Sequence, residues 1–264
     1  MPEGDTVFLA ATRLNEALAG EVLTETDFRV PAYAALDLSG RTVANVVARG
    51  KHLLFRIDDR QTLHTHFKME GSWHLYRRGR RWQGPDHEVR VVLATGDRVA
   101  VGFRLPVVEM LPTAKEDEVV GHLGPDPLRP DWDPDEAVRR LRAHPGEAIG
   151  TIVLDQRVIA GPGNVYKSEV CFLRGIHPLT PVGDVTDLEG FVALLARLMQ
   201  ANRMTGMQIT TGDARRGRMH WVYGRGAQPC RRCNTTIERS TQPGYGGDRI
   251  TFHCPTCQPG SLSG

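Results

Sequence analysis

The sequence predicts an α+β protein: an N-terminal two-sheet β-sandwich with one helix, then a helical domain, then a C-terminal β-hairpin with a metal site. Three observations predict this order. Short runs rich in β-branched and aromatic residues recur between residues 20 and 111. Helical patterns dominate residues 134–202, and two Cys-x-x-Cys pairs follow near the end of the chain.

The first element is a helix predicted over residues 6–19, and Pro2 and Glu3 stand just before it. Removal of Met1 would leave the Pro2 nitrogen as a free secondary amine, which can attack an aldehyde carbon and form an iminium. The helix dipole at this position favours the neutral, nucleophilic amine. The alternative interpretation is that Pro2 only begins a helix.

The β-rich segment contains six strand-like runs separated by turn signals such as Asp58-Asp59 and Thr95-Gly96-Asp97. These runs are residues 41–47, 52–57, 63–66, 72–76, 88–94 and 98–103. Short antiparallel runs of this kind are typical of a β-sandwich, against which the first helix would pack. His64 and His66 alternate along one run and match no metal motif, so we interpret them as structural.

Residues 124–130 are rich in proline and form a predicted linker. Asp133-Pro134 then reads as a helix cap and first turn, and further helices are predicted near residues 134–143, 147–154, 165–174 and 186–202. Between two of them, Gly161-Pro162-Gly163-Asn164 predicts a tight turn in which Asn164 caps the next helix and directs backbone N–H groups at an anion. Many helix hairpins carry glycine-rich turns, so this motif alone is weak.

The C-terminal cysteines form two pairs, Cys230/Cys233 and Cys254/Cys257, separated by a hairpin-like stretch with glycines at positions 244, 246 and 247. This spacing predicts one structural Zn²⁺ ion bound by four thiolates. Two disulfides are the alternative. Cys171 has no partner at ligand spacing and is expected to be an ordinary buried thiol.

Size and charge restrict the number of domains and the kind of partner that the protein can bind. The 264 residues suffice for two domains, and the net charge of +2 hides nine arginines and three acids within residues 201–257. All the positive charges of this segment come from arginine and none from lysine, which favours phosphate contacts. The alternative is an ordinary basic surface in contact with solvent. No apolar run is long enough to span a membrane, and acids at positions 3 and 5 are atypical of a signal peptide, so we expect a cytoplasmic, nucleoid-associated protein without membrane contact.

Three motifs occur in a characteristic order: Pro2-Glu3-Gly4, Gly161-x-Gly163-Asn164-x-Tyr166 and Arg249-x-Thr251-Phe252-x-Cys254-x-x-Cys257-Gln258. On these residues the chain resembles the formamidopyrimidine-DNA glycosylase/endonuclease VIII family, and within it the actinobacterial endonuclease VIII group. The resemblance implies a β-sandwich, a helix–two-turn–helix domain and a zinc-finger hairpin, with damaged DNA as the partner.

The resemblance also implies roles for individual residues. Pro2 would attack C1′ of a damaged nucleotide and displace its base, while Glu3 acts as the general acid. Lys51 would contact phosphate and assist proton transfer, Asn164 would hold phosphates beside the lesion, and Arg249 would clamp phosphate and serve the second elimination. The products would be a free base and a one-nucleotide gap with phosphates at both ends.

Residues 66–71 match the loop that fills the void after a base is flipped out, with Lys68 and Met69 as DNA-binding residues and Met69 as the wedge. The alternative is that Met69 is ordinary core. His122 stands where the endonuclease VIII branch carries a DNA-binding arginine. The ending Glu109-Met110-Leu111 also resembles that branch, and the formamidopyrimidine branch's Asp-Pro-Arg-Arg-Phe-Gly loop is missing.

We therefore expect a bifunctional DNA glycosylase and abasic-site lyase of base excision repair that removes oxidised pyrimidines and works as a monomer. The alternatives are an abasic-site lyase without base excision and a non-catalytic zinc protein that binds damaged DNA. The expected segments are a catalytic domain, a linker, a helix–two-turn–helix domain, a zinc finger and a tail, at residues 1–123, 124–130, 131–220, 221–258 and 259–264.

Overall fold

The computed structural model describes residues 2–58, 60–245 and 247–260. Parts of two predicted turns and most of the predicted tail lie outside the described residues, namely Asp59, Gly246 and residues 261–264. Met1 also lies outside them.

The chain divides into two compact units. The first consists of Pro2 and Thr6–His122, and the second consists of Glu3–Asp5 together with the chain from Leu123 onward. Helix α1, Gly4–Leu18, therefore begins in the second unit and continues in the first.

The first unit is a β-sandwich of two four-stranded antiparallel sheets, in the orders β2-β3-β4-β8 and β1-β6-β7-β5. Its strands are β1 Glu25–Phe28, β2 Val43–Arg49, β3 His52–Ile57, β4 Gln61–His66, β5 Ser72–Arg77, β6 Val89–Ala94, β7 Arg98–Phe103 and β8 Val107–Pro112, followed by helix α2, Asp117–Val120.

One apolar core joins both sheets to α1. Leu14 of α1, Phe55 of β3 and Leu93 of β6 belong to the same buried cluster. The helix presents its apolar stripe to this cluster, as its periodicity predicts. Burial of these side chains on facing sheets fixes the sandwich.

The six predicted strand-like runs correspond to β2 through β7, whereas β1 and β8 were not predicted. Both lie at sheet edges. β1 is only four residues long and contains two acids, and no residue of β8 is fully buried. An edge strand that is half-exposed needs no strict alternation of apolar and polar residues, so its pattern is weak.

The second unit is helical up to residue 202 and then ends in a hairpin. Its elements are α3 Pro134–Arg142, α4 Ile149–Ile152, α5 Asn164–Arg174, α6 Leu188–Asn202, β9 Glu238–Gln242 and β10 Arg249–His253. The Asp133 side chain accepts a hydrogen bond from the Glu136 amide, which confirms the predicted cap. Helix α4 is a single turn, shorter than predicted.

Helix α5 is the centre of this unit. All of its residues from Asn164 to Phe172 are buried, and it packs against α6 and β10. Its Glu169 carboxylate accepts hydrogen bonds from the backbone amides of Trp221, Val222 and Tyr223, at 2.8–2.9 Å. These bonds offset the cost of burying a charge and fasten the segment that leads to the cysteines.

Within the described residues, no helix is long and apolar enough to cross a membrane.

A buried ion pair in the first unit generates a stability prediction. The Glu116 carboxylate accepts hydrogen bonds from Arg56 Nε at 2.8 Å, from Arg56 Nη2 at 2.7 Å and from the Thr62 hydroxyl at 2.6 Å. Although burial opposes the shift, these donors lower the pKa of Glu116 below its ordinary 4.5. Glu116→Gln should lower the free energy of unfolding of this unit by about 2 kcal/mol, because the half-buried arginine keeps its charge and no longer faces the Glu116 carboxylate.

Urea denaturation of both proteins measures this difference. The loss should be fully present above the carboxyl's ordinary pKa and should shrink as the pH falls through the lowered one, since protonation removes the same charge from the wild type. The control is Glu118→Gln, which alters an exposed pair with Lys115 and should change stability by less than about 0.5 kcal/mol. Equal effects of both substitutions would contradict the role given to Glu116.

Candidate active site

The Glu3 carboxylate lies completely buried at the start of helix α5. Its Oε2 accepts the Gly163 amide at 2.7 Å, and its Oε1 accepts the Val165 amide at 2.7 Å. Free backbone N–H groups and the positive end of the helix dipole stabilise an anion at this position. The predicted anion site at this helix start is therefore occupied by the protein's own Glu3 in this structure.

Three glycines make this arrangement possible. A Cβ atom on Gly163 would lie 2.5 Å from Glu3 Cδ, and one on Gly4 would lie 2.8 Å from Gly161 Cα. The Gly4 amide also donates to the Gly161 carbonyl at 2.9 Å, and Gly161 has a φ of +105°. The N-terminal motif and the glycine turn, distant in sequence, thus fit together only without side chains at these positions.

Asp5 extends the same cluster. It is buried, its Oδ2 accepts the Tyr166 hydroxyl at 2.8 Å, and its Oδ1 accepts Gln208 Nε2 at 3.2 Å. Burial, followed by the charge of Asp5, raises the pKa of Tyr166, so the phenol stays a donor. The sequence assigned no role to Asp5, because nothing local marks an acid in the first turn of a helix as buried.

The predicted cap at Asn164 is wrong. Gly163 occupies the N-cap, and Asn164 is the first residue of α5 without a capping bond. Its Nδ2 instead donates to the Ile250 carbonyl at 2.7 Å, which leaves one N–H of the amide for another acceptor. Asn164 is therefore attached to β10 beside Arg249.

A second attachment to β10 comes from Lys167, which the sequence also did not single out. Its ammonium is completely buried and donates to Thr251 Oγ1 at 2.7 Å. Burial lowers its pKa to about 8, against an opposing effect of Glu3, while Arg249 lowers it further. Arg249 is the first residue of β10 and pairs with Gln242 of β9. Helix α5 thus positions the strand that carries Arg249.

Three candidate residues of the first unit lie in two turns at one end of a sheet. Lys51 is in the turn between β2 and β3, and Lys68 and Met69 are in the turn between β4 and β5. Because His52 pairs with His66, these turns are neighbours. Met69 is 65% exposed, which excludes the alternative that it is core. His122 is exposed, and its ring centroid lies 6.0 Å from that of His52.

The four paired cysteines are brought together as predicted, with all four sulfur atoms within 4.8 Å of one another. Their separations include 3.4 Å for Cys233–Cys254 and 3.9 Å for Cys230–Cys257, well beyond a disulfide bond of about 2.05 Å. Burial raises the pKa of Cys254 and of Cys257, whereas the hydrogen bonds with Thr235 lower the pKa of Cys233 to about 6. A bound cation favours the thiolate form of its cysteine ligands. These residues are positioned to bind one metal ion. Cys171 is a free, buried thiol, as expected.

The chain matches two family models, the formamidopyrimidine-DNA glycosylase N-terminal domain over residues 1–104 and the formamidopyrimidine-DNA glycosylase H2TH domain over residues 123–205. It is 53% identical to a protein of Streptomyces coelicolor named probable endonuclease 8 2, over 98% of this chain and 95% of that protein. It is 46% identical to the DNA-(apurinic or apyrimidinic site) lyase Nei2 of Mycolicibacterium smegmatis, over 99% of this chain and all of that protein.

Among solved structures, the chain is similar to the Lactococcus lactis formamidopyrimidine-DNA glycosylase non-covalently bound to DNA with an abasic site. The TM-score is 0.80 and the sequence identity is 24%, over 98% of this chain and 100% of that one. A MutM protein in complex with DNA containing carbocyclic 8-oxoguanine gives a TM-score of 0.81 at 23% identity, with the same coverage. These likenesses show a shared fold. With the family models and the identities to relatives, they establish that the chain belongs to the formamidopyrimidine-DNA glycosylase/endonuclease VIII family.

Proposed function

We propose that this protein is a bifunctional DNA glycosylase and abasic-site lyase of base excision repair, which excises oxidised bases, mainly pyrimidines, from damaged DNA. The observation that carries the proposal is the buried carboxylate of Glu3, the residue that follows Pro2 in the sequence, which is held by backbone amides. A protein that only binds DNA has no use for a carboxylate fixed next to a terminal amine. The likeness to named endonuclease 8 proteins supports the same activity.

The reaction begins at Pro2. Loss of a proton from its ammonium makes the nitrogen a nucleophile, and the Glu3 carboxylate is the adjacent acceptor for that proton. Protonated Glu3 then acts as the general acid, which delivers the proton to the sugar as the C1′–base bond breaks. The amine bonds to C1′ and gives up its remaining proton, which the departing base takes up. The result is a free base and an iminium on the opened sugar.

The iminium drives two eliminations. It acidifies the hydrogens on C2′, so the 3′ phosphate leaves first and the 5′ phosphate follows. Lys51 assists proton transfer in these steps, and Arg249 binds phosphate and serves the second elimination. The products are two phosphate-terminated strands that flank a one-nucleotide gap.

The remaining candidate residues bind DNA. Asn164 donates its second amide N–H to a phosphate beside the lesion, and Lys68 and His122 contact the backbone. Met69 enters the stack when the damaged base flips out, a role that suits its long, flexible and exposed side chain. Residues 1–123, 131–220 and 221–258 serve as the catalytic, helix–two-turn–helix and finger domains, joined by a linker at residues 124–130.

Zinc is the metal that fits the finger best, since Zn²⁺ prefers a tetrahedral set of four thiolates. Cys230, Cys233, Cys254 and Cys257 would hold it, and its role would be structural. The protein acts as a monomer in the cytoplasm, where DNA is its substrate.

A second candidate function is an abasic-site lyase that does not release bases. The name of the Mycolicibacterium smegmatis relative, DNA-(apurinic or apyrimidinic site) lyase, favours it. Both activities use the same amine, so base release from DNA containing thymine glycol or dihydrouracil distinguishes them.

The test of the proposed function is borohydride trapping on DNA with one abasic site. The mature protein should form a covalent band, because reduction fixes the imine between Pro2 and C1′. A form that retains Met1 should form none, since its proline nitrogen is an amide, yet it should bind the same DNA. Tight binding without a band from the mature protein would leave only a DNA-binding protein and overturn the enzyme.

Gly163→Ala tests the Glu3 site without removing a reactive group. The added methyl displaces the Glu3 carboxylate, so release of thymine glycol should fall on the order of 10²-fold or more while DNA affinity is nearly kept. Gly146→Ala is the matched control, because its Cβ would meet nothing within 4 Å. Base release at the wild-type rate by Gly163→Ala would show that catalysis does not require the Glu3 carboxylate to be held by the Gly163 and Val165 amides.

Metal removal tests the finger. Chelation, or Cys233→Ser, should abolish DNA binding and release one equivalent of zinc, while hydrogen exchange within Thr6–His122 stays as in the untreated protein. Cys171→Ser serves as the control, since Cys171 is no ligand, and it should retain the metal. Undiminished DNA affinity after complete loss of the metal would contradict the role of the finger.

A further inference from the structure

Three histidines and one glutamate share a face of the sheet β2-β3-β4-β8, and the proposed chemistry uses none of them. His52 of β3 lies opposite His66 of β4. His64, two residues earlier on β4, lies opposite Glu109 of β8. Side chains at directly paired positions and at alternate positions along a strand point to the same side of a sheet, so all four meet.

Two short hydrogen bonds join three of these groups in a row. His64 Nδ1 lies 2.9 Å from Glu109 Oε2, and His64 Nε2 lies 2.8 Å from His52 Nδ1. The two imidazole rings lie nearly in one plane, edge to edge, with centroids 5.0 Å apart and planes 20° apart. His64 is 4% exposed, so water does not compete for its bonds.

The carboxylate fixes the direction of this row. Glu109 can only accept, so His64 Nδ1 carries a proton. In neutral His64 the Nε2 atom is therefore an acceptor, and His52 must donate through its Nδ1. The outer nitrogen of neutral His52, Nε2, is then an acceptor too. Nε2 has no hydrogen-bond partner among the described residues and is not one of their fully enclosed polar atoms.

A single added proton changes His52 Nε2 from a hydrogen-bond acceptor into a donor. If the proton resides on His52, both of its nitrogens are donors. If it resides on His64, then His64 Nε2 donates to His52 Nδ1, and His52 carries its own hydrogen on Nε2. In either case the outer nitrogen becomes a donor, and Glu109 supplies the compensating negative charge.

The surroundings keep the free protein neutral here. Burial, and then the neighbouring His66, His64, His122 and Lys68, lower the pKa of His52 to about 2. Burial lowers the pKa of His66 to about 3, with Lys68 and Lys51 acting in the same direction. The neighbouring cations lower the pKa values of both His52 and His66. An anion that approaches the cluster acts in the opposite direction, so it favours protonation of these histidines.

We propose that Glu109, His64 and His52 form a proton-linked phosphate site, in which the outer nitrogen of His52 donates to a DNA phosphate after the row takes up one proton from solvent. This rests on the proposed function for the presence of DNA. One proton from solvent binds a ring nitrogen of the row, and the Nε2–H group of His52 then donates a hydrogen bond to a phosphate oxygen. No other covalent bond forms or breaks. The site stands beside Lys51, whose positive charge attracts the same anion.

Binding of DNA that contains a tetrahydrofuran abasic analogue tests the site, because this analogue cannot react. Calorimetry in two buffers with different heats of ionisation counts the protons taken up. At mildly acidic pH the wild type should take up about one proton per complex, and in that range its Kd should rise by up to about tenfold for each pH unit. Glu109→Gln and His52→Gln should bind without this uptake and with less than about a twofold change per pH unit.

His74→Gln is the control, since His74 lies on β5 of the other sheet and bonds only to Ser72 among the described residues. It should take up the same proton as the wild type.

Glu109 is half-exposed, so its substitution should leave the sheet folded, which circular dichroism checks. Nitrogen NMR of the histidine rings, with and without DNA, reports directly whether His52 Nε2 gains a hydrogen.

The outcomes separate this inference from the proposed function. No binding of the analogue at all would overturn the proposed function. Tight binding without proton uptake, or uptake that persists in both Glu109→Gln and His52→Gln, would overturn the phosphate site and leave the proposed function intact.

Discussion

The structure depends on how the buried Glu3 carboxylate is held in place by hydrogen bonds. Removing a carboxylate from water costs several kcal/mol unless hydrogen bonds replace its hydration. Here the amides of Gly163 and Val165 replace it, and the close approach of Gly4 to Gly161 brings the N-terminal segment to them. A substitution at Gly4 or Gly161 would therefore act on the reacting end of the chain, although neither glycine carries a reactive group.

Helix α5 extends this principle to the rest of the second unit. It buries Lys167, Ser168 and Glu169 in succession, and each has a partner in a different direction. Lys167 donates to Thr251 of the hairpin, Ser168 donates to the Asn164 carbonyl within the helix, and Glu169 receives the amides of the segment before the cysteines. A helix with apolar side chains alone would pack as well, but it would not fix the register of these segments so specifically.

Features that depend on spacing along the chain could be predicted from the sequence, and those that depend on distant partners could not. The cysteine pairs, the Asp133 cap and strands β2 through β7 carry their own local signals. The edge strands β1 and β8 do not, since half-exposed positions accept almost any residue. Asn164 looked like a cap because its neighbours are glycines, yet its partner, Ile250, lies 86 residues away. Likewise, the hydrogen-bond partners of His64, Glu109 and His52, lie on other strands and could not be read from the residues around it.

The attachment of the hairpin has a consequence for the electric field near Arg249. From Lys167, hydrogen bonds run to Thr251, from Thr251 to Gln242 at 3.1 Å, and from Gln242 to Thr151 at 3.0 Å. A neutral amine donates as an ammonium does, so this row keeps its direction when Lys167, with a pKa of about 8, loses its proton. One unit of positive charge then disappears from the interior, while each donor and acceptor in the row keeps its role. Slightly alkaline conditions therefore change the potential around Arg249 and not the geometry that holds it.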